Sequence, residues 1–307
     1  MRETNPAGRL GRSLRRDYDL CLMIVPLVLY YVVFYLWPLY GIQIAFRDYI
    51  PSRGFTGSPF VGLRNFREFF SLNTAWPLIR NTLRISLFTL VVTFPVPIVL
   101  ALMFNSIVSK RFRNVVQTIV YVPNFVTVVV VVGMLGVFLN GQVGVFNQVR
   151  AAVGLPKVDF MNDAGSFLPV YIVSGLWSSV GWNSIVYTGA LTGIPTELYE
   201  AARIDGTTKL QCIRFIEVPA IVPTVSIMFI LSVGRLMGVG WEKIYLMQAP
   251  LNLSVSEIIS TYTYKTGILS GQFSYSAAIG LFNSMVDLLL LLTANRISRR
   301  LSDTGIW

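Results

Sequence analysis

The chain has 307 residues, 54% of them hydrophobic and 13% charged, with mean hydropathy +0.62 and a formal net charge of +10. A soluble domain of this size has no interior that could take so much apolar side chain, so composition points to an all-α polytopic membrane protein. There is no histidine, which removes His-based metal sites and catalytic triads, and the basic residues are scattered over loop ends rather than gathered in one stripe. That distribution suits lipid headgroups, not nucleic acid.

Residues 1–19 form a polar tail carrying Arg2, Arg9, Arg12, Arg15 and Arg16, read as cytoplasmic and partly disordered. Residues 20–46 hold no charge, enough for one spanning helix of ~20 residues. Trp37 and Tyr40 fall at its outer end as an aromatic belt would. The basic start followed by an apolar run has the outline of a signal peptide. The run is too long and lacks a small-residue cleavage site, so it is read as a retained membrane helix. Cys21 in this run and Cys212 far downstream would face lipid and cytosol, and no disulfide is expected between them.

An extracytoplasmic connection follows over 47–79. Phe66, Phe69 and Phe70 line one side of a short amphipathic piece in it, which suits a helix lying at the outer interface. The core over 80–295 holds five further spans, near 83–108, 115–139, 168–191, 218–239 and 275–295, and residues 296–307 form a second tail with Arg296, Arg299 and Arg300. Six transmembrane helices put both ends on one side. Fourteen basic residues fall there and eleven on the other, so the richer side is read as cytoplasm, N-in and C-in.

The stretch with the sharpest local grammar is the loop 195–217, between the fourth and fifth spans. Thr196 is placed to cap a first short helix, with Glu197 and Glu200 toward its N-terminal end, where the helix dipole favours anions. Leu198, Ala201 and Ala202 share a face. Asp205-Gly206 should end that helix, because glycine accepts the backbone angles of a tight turn. Leu210 and Ile213 give a second helix its apolar side, and Pro219 suits the first turn of the next membrane helix.

The spacing Glu200-Ala201-Ala202, three residues, Gly206, nine residues, Ile216, one residue, Val218-Pro219 resembles the EAA loop of binding-protein-dependent ABC importer permeases, EAA-x3-G-x9-I-x-L-P, with Val218 in place of Leu as the one departure. Further segments, among them 240–246, 260–264 and 273–275, look like the sugar-type permeases and most like the LplB-like branch that serves oligosaccharides and polysaccharide fragments. The resemblance covers nearly the whole chain. It implies the type I ABC importer permease fold in a bacterial cytoplasmic (inner) membrane. It also implies a heterodimer with a second homologous permease, two ATP-binding-cassette ATPase subunits and an extracytoplasmic solute-binding protein. Glu200, Ala201, Ala202, Asp205, Gly206, Leu210, Ile216 and Pro219 would then form the element that seats on the ATPase.

No G-x-x-x-x-G-K-[ST] phosphate loop is present, so ATP and Mg would be bound by the partner ATPase and this chain is expected to carry no cofactor, no metal and no catalytic residue. Leu269-Ser270-Gly271-Gln272 echoes an ATPase signature by coincidence. Two charges lie within apolar segments, Arg235 and Asp287, and default to functional candidates. Their estimated depths differ by roughly 10 Å at ~1.5 Å per residue, which argues against a direct ion pair. Trp177, Trp182, Asn183, Tyr187, Arg235 and Asn283 supply the aromatic faces and polar groups a sugar path needs. The arginines on the outer side raise an acidic, uronate-containing cargo. An ion-coupled secondary transporter, another solute class for the same importer, and a membrane-embedded enzyme are the alternatives; the first lacks visible repeats and carries Asp287 as its lone intramembrane acid.

Overall fold

A computed structural model of the chain describes residues 18–302 except 72 and 239. The N-terminal arginines from Arg2 to Arg16 and residues 303–307 lie outside the described residues. The described part is helical, with one isolated bridge between Arg47 and Phe60. Helices long and apolar enough to cross a membrane are α1 (Tyr18–Phe46) and, later in the chain, Ala75–Ser106, Lys209–Val233 and Phe273–Arg300. A fifth arises if Lys110–Phe125 and Val128–Phe138 count as one span bent by 95°.

The most apolar stretch of α1 is not buried at all against the rest of this chain. It docks only through its last turns, 40–46, where Ala45 is buried and the helix runs against the C-terminal helix. The short helix α2 (Arg64–Ser71) is pinned to the bundle rather than resting loosely on its rim. Asn65 Nδ2 donates to the Ala45 carbonyl at 2.9 Å, and the buried Phe69 ring meets Tyr275 and Phe282.

Helix α3 (Ala75–Ser106) starts eight residues before the expected Leu83. Its extra turns are held by polar contacts rather than lipid. Asn81 Nδ2 donates to the Ser254 and Glu257 carbonyls at 2.9 and 3.1 Å, and Thr82 Oγ1 accepts from Ile259 N–H at 3.0 Å. These buried groups satisfy loop backbone that would otherwise be stranded.

The third expected span, 115–139, is not one straight helix. Helix α4 (Lys110–Phe125) ends in a 3-10 turn at Val122–Phe125 that contains Pro123, Thr127 is extended, and α5 (Val128–Phe138) leaves at 95°. Proline has no N–H to donate and its ring crowds the carbonyl four residues back, so the ladder breaks there.

A small outer helix, α6 (Val145–Ala152), leads into α7 (Ala164–Thr192), which is capped by Asp163 accepting from Ser166 N–H at 2.8 Å. Those bonds from the Ser166 hydroxyl and amide hold the Asp163 carboxyl below its ordinary value. Helix α7 packs along the second half of α3.

After the short α8 (Thr196–Ile204) comes α9 (Lys209–Val233), then the outer pieces α10 (Trp241–Met247) and α11 (Ile259–Tyr264), and finally α12 (Phe273–Ser302). The core falls into three apolar clusters. Ile85, Val132, Phe167, Ile172 and Ile244 join α3, α5, α7 and α10. Phe69, Leu78, Met237, Ile259 and Ile279 join α2, α3, α11 and α12. Ala101, Tyr187, Leu191, Ile194 and Ile221 join α3, α7 and α9 at the opposite end.

The fifth expected span, carried by α9, stops at Val233, six residues before the expected 239. Gly234 lies so close to Leu291 of α12 that any Cβ would collide with it. The chain then turns through Leu236–Gly238, and Asp287 Oδ1 accepts from the freed Met237 N–H at 2.9 Å. Asp287 therefore sits level with residue 237, and the 10 Å depth difference expected between it and Arg235 does not hold, because a broken helix does not rise at a uniform 1.5 Å. The expectation that the two do not pair stands: no ion pair joins them among the described residues.

Candidate functional site

The 195–217 loop forms a helix, a tight turn and the start of a second helix. Helix α8 begins after Pro195, whose carbonyl accepts from Leu198 N–H at 3.3 Å, so Thr196 is the first helical residue and does not cap. The reason is local: proline holds the extended entry angles and its carbonyl opens the ladder, which leaves Thr196 inside the first turn. The other end is as expected. Gly206 has φ +70°, its N–H bonds the Arg203 carbonyl at 3.1 Å, and Thr207 N–H reaches back to the Ala202 carbonyl at 3.0 Å. This pair of bonds is a Schellman closure, which needs a residue at ease with positive φ.

Thr208 and Gln211 then make a reciprocal capping box at the start of α9. The second short helix is not a separate element. From Lys209 the helix runs without interruption to Val233, through a widened π turn at Ile213–Glu217. Val218 N–H bonds the Ile213 carbonyl across that turn. Pro219, expected at the start of a new helix, instead lies just beyond the bulge. The wider turn relieves the clash between its ring and the preceding backbone.

Ala202 is buried, and Ile216 packs against the inner core cluster. Ala201, Glu200, Asp205 and Leu210 face outward. Ile204, Leu210 and Phe215 are 87%, 74% and 67% exposed.

What fastens this loop to the bundle is a polar cluster. Glu217, 4% exposed, accepts through Oε1 from Asn105 Nδ2 at 2.7 Å and from Tyr199 OH at 3.4 Å; Asn105 Nδ2 also lies 3.3 Å from Tyr199 OH. The three residues come from the end of α3, from α8 and from the π turn of α9. Burial, with help from the nearby Glu217 charge, raises the Tyr199 phenol above its ordinary value.

Deeper in the bundle, a cavity of about 310 Å³ is lined by Ser86, Thr89 and Thr93 of α3, Tyr171, Asn183 and Tyr187 of α7, Ser232 of α9 and Arg235 just beyond it. The Ser86 Oγ and Thr89 Oγ1 atoms are buried there without a protein partner. Of the six residues expected along a sugar path, Asn183, Tyr187 and Arg235 meet here. Trp177 instead lines an apolar groove of about 710 Å³ with Val131, Leu135 and Phe138. Trp182 stands half-exposed, edge-on to Phe125 at 6.0 Å. Asn283 is on α12 with its Oδ1 buried and unpartnered.

Behind Tyr171 lies a cation that sequence reading did not single out. Lys243 Nζ donates to the Tyr171 carbonyl at 2.9 Å and sits 4.9 Å from the centre of its ring. No carboxylate lies within ion-pair distance of it among the described residues. Burial pulls its ammonium down from the usual lysine value to about 8.

With this arrangement in view, residues 93–302 match the model of a family described as the inner membrane component of binding-protein-dependent transport systems. The chain belongs to this family. Among the relatives of this permease is the polygalacturonan/rhamnogalacturonan transport system permease protein YteP of Bacillus subtilis, 38% identical over 97% of this chain and 93% of that one. Protein LplB of the same organism is 37% identical over 96% and 93%. A bacterial alginate ABC transporter, solved in complex with an alginate pentasaccharide-bound periplasmic protein, contains a chain that superposes with TM-score 0.89 at 37% identity, covering 97% of this chain and 100% of its own.

The permease is thus a membrane-embedded transport component and not an enzyme. Its Glu200–Pro219 motif was legible by spacing. The Asn105–Tyr199–Glu217 cluster was not, because its members are 18 to 112 residues apart in sequence. The one available signal was Glu217 itself, an acid at the head of an apolar run.

Proposed function

We propose that this chain is one of two homologous permease subunits of an importer for acidic oligosaccharides, uronate-containing fragments above all, in a bacterial cytoplasmic membrane. It would span the membrane six times with both ends in the cytoplasm, counting α7 and the bent α4–α5 pair as spans. Support for a second permease comes from α1, whose most apolar stretch is left unburied by its own chain. Support for a pair of ATPase subunits comes from the bare Ile204, Leu210 and Phe215 side chains around the Gly206 turn. Those ATPases would hold ATP and Mg, and an extracytoplasmic solute-binding protein would deliver the cargo.

The observation that carries the cargo reading is Arg235, which faces the 310 Å³ cavity beside Asn183 and Tyr187 with no acidic partner among the described residues. A cation kept unpaired next to hydroxyl-matching groups suits a sugar bearing carboxylates. The acidic polysaccharides carried by the relatives point the same way. The test is ATP hydrolysis by the reconstituted complex with its binding protein, offered oligogalacturonate, alginate fragments and neutral arabino-oligosaccharides. Stimulation by the acidic classes alone is the expected result; stimulation by neutral ones alone would overturn the cargo and leave the importer standing.

A further inference from the structure

We propose that Lys243 and Asn124 form a carboxylate-binding niche beside the Phe125–Trp182 ring pair, which recognises a uronate unit of the cargo. This rests on the acidic-oligosaccharide reading above. Lys243, Asn124 and Ser178 line one small cavity of about 130 Å³, together with Val126, Val128 and Val131. A water takes about 30 Å³ of liquid volume, so the space has room for a carboxylate and its nearest waters.

The donors match. Lys243 has three ammonium hydrogens and spends one on the Tyr171 carbonyl at 2.9 Å. The Asn124 amide has no hydrogen-bond partner among the described residues. The Ser178 hydroxyl donates to the Gly175 carbonyl at 3.0 Å, so this residue lines the space without supplying a donor. A partly buried ammonium without a counter-charge is costly to keep, and an anionic ligand is what relieves it.

The rings stand where a pyranose would need them. Asn124 and Phe125 are neighbours on the 3-10 turn at the 95° bend, and Ser178 and Trp182 are four apart on α7, so they share a face of that helix. Phe125 and Trp182 are 73% and 50% exposed. The bend at Pro123 is what lifts Asn124 and Phe125 out of a continuous helical ladder and turns them toward α7 and α10. Tyr171 links this niche to the larger cavity: it lines the space that holds Arg235, while its carbonyl and ring hold Lys243. The two unpaired cations thus lie on either side of one side chain.

The experiment uses the full complex with its binding protein in proteoliposomes, measuring uptake of trigalacturonate and of its neutral methyl ester. Lys243→Gln is expected to raise KM for the acid about tenfold or more while the maximal rate changes less, to leave the ester unaffected, and to be largely rescued by Lys243→Arg. Asn124→Asp, which sets a competing carboxylate beside the ammonium, is expected to weaken uptake of the acid at least as much. An unchanged KM for the acid in both Lys243→Gln and Asn124→Asp overturns the niche, as does an equal loss for acid and ester, which would make Lys243 a mere tie between α10 and α7. A wild-type complex that takes up neutral oligosaccharides and no acidic one would instead fail at the cargo reading, and the niche would fall with it.

Discussion

Asn105→Ala is the perturbation whose size follows most directly from the geometry. Asn105 Nδ2 is the close donor to the buried Glu217 Oε1, at 2.7 Å; the Tyr199 hydroxyl at 3.4 Å is the remaining one, and Oε2 has no partner. A hydrogen bond to a charged group contributes about 1.5–3 kcal/mol, and leaving a buried acceptor unsatisfied costs the larger end of that range. Taking ~2 kcal/mol, the share of molecules with α8 detached from the α3 and α9 ends rises about 30-fold at 1.4 kcal/mol per tenfold. Hydrogen exchange of the α8 amides in the reconstituted complex reads that population directly, since exchange there requires the helix to come away. The effect is expected to vanish in a Glu217→Ala background, because the interaction belongs to the pair. Unchanged α8 exchange in Asn105→Ala, or an equal increase with and without Glu217, would refute the argument that this cluster holds the loop.

The Tyr199 phenol, raised by burial, favours its protonated form in the docked state. Its stabilising share is full below the ordinary tyrosine value of 10 and is lost as pH rises through the higher docked value; α8 exchange should accelerate above pH 10 in the wild type, and Tyr199→Phe should remove that step. Gly206→Ala forces a side chain into φ +70°, at about 1–2 kcal/mol. We expect its binding-protein-stimulated ATP hydrolysis to fall while Gly206→Asn, which tolerates that region, stays nearer the wild type. Asp287→Ala strands the Met237 N–H that its carboxylate accepts at 2.9 Å and should destabilise the purified permease by about 1–3 kcal/mol. In a thermal-shift assay Asp287→Asn should lose much less, because the amide oxygen still accepts.

The parts of this fold that the sequence makes plain are those with a local cause. Apolar runs located the long apolar helices, and Asp205-Gly206 marks a turn whose closure follows from glycine's backbone freedom. Where the reading went astray, a tertiary contact or a proline decided the outcome. Asn81 and Thr82 look like residues before a membrane helix, yet they lie within α3 because loop backbone at 254–259 satisfies them. Pro123 sits inside an otherwise unbroken apolar stretch, and hydropathy alone reads through it. Pro219 suits a helix start, whereas a π turn upstream lets the helix continue past it. Of the expected path residues, Trp177, Trp182 and Asn283 do not line the 310 Å³ cavity, because residue type does not say which face of a helix looks into it. Lys243 was passed over as one loop cation among several. Its lack of a counter-charge is visible only once the chain is folded.

The unbroken run of α9 from Lys209 to Val233 has a mechanical consequence. Twenty-five residues at about 1.5 Å each make a strut of roughly 38 Å, so a push on the bare loop surface at one end is delivered, nearly undiminished, to the other. The far end is where the backbone breaks, at Gly234 against Leu291, immediately before Arg235 and the cavity. Force applied at the loop would therefore be spent at that joint, beside the cavity that Arg235 lines. The widened turn at 213–217 and the interior Pro223 are the places along the strut where the rod can bend first. A variant that straightens that turn would stiffen the transmission, and one that loosens it would let the loop move without moving the cavity.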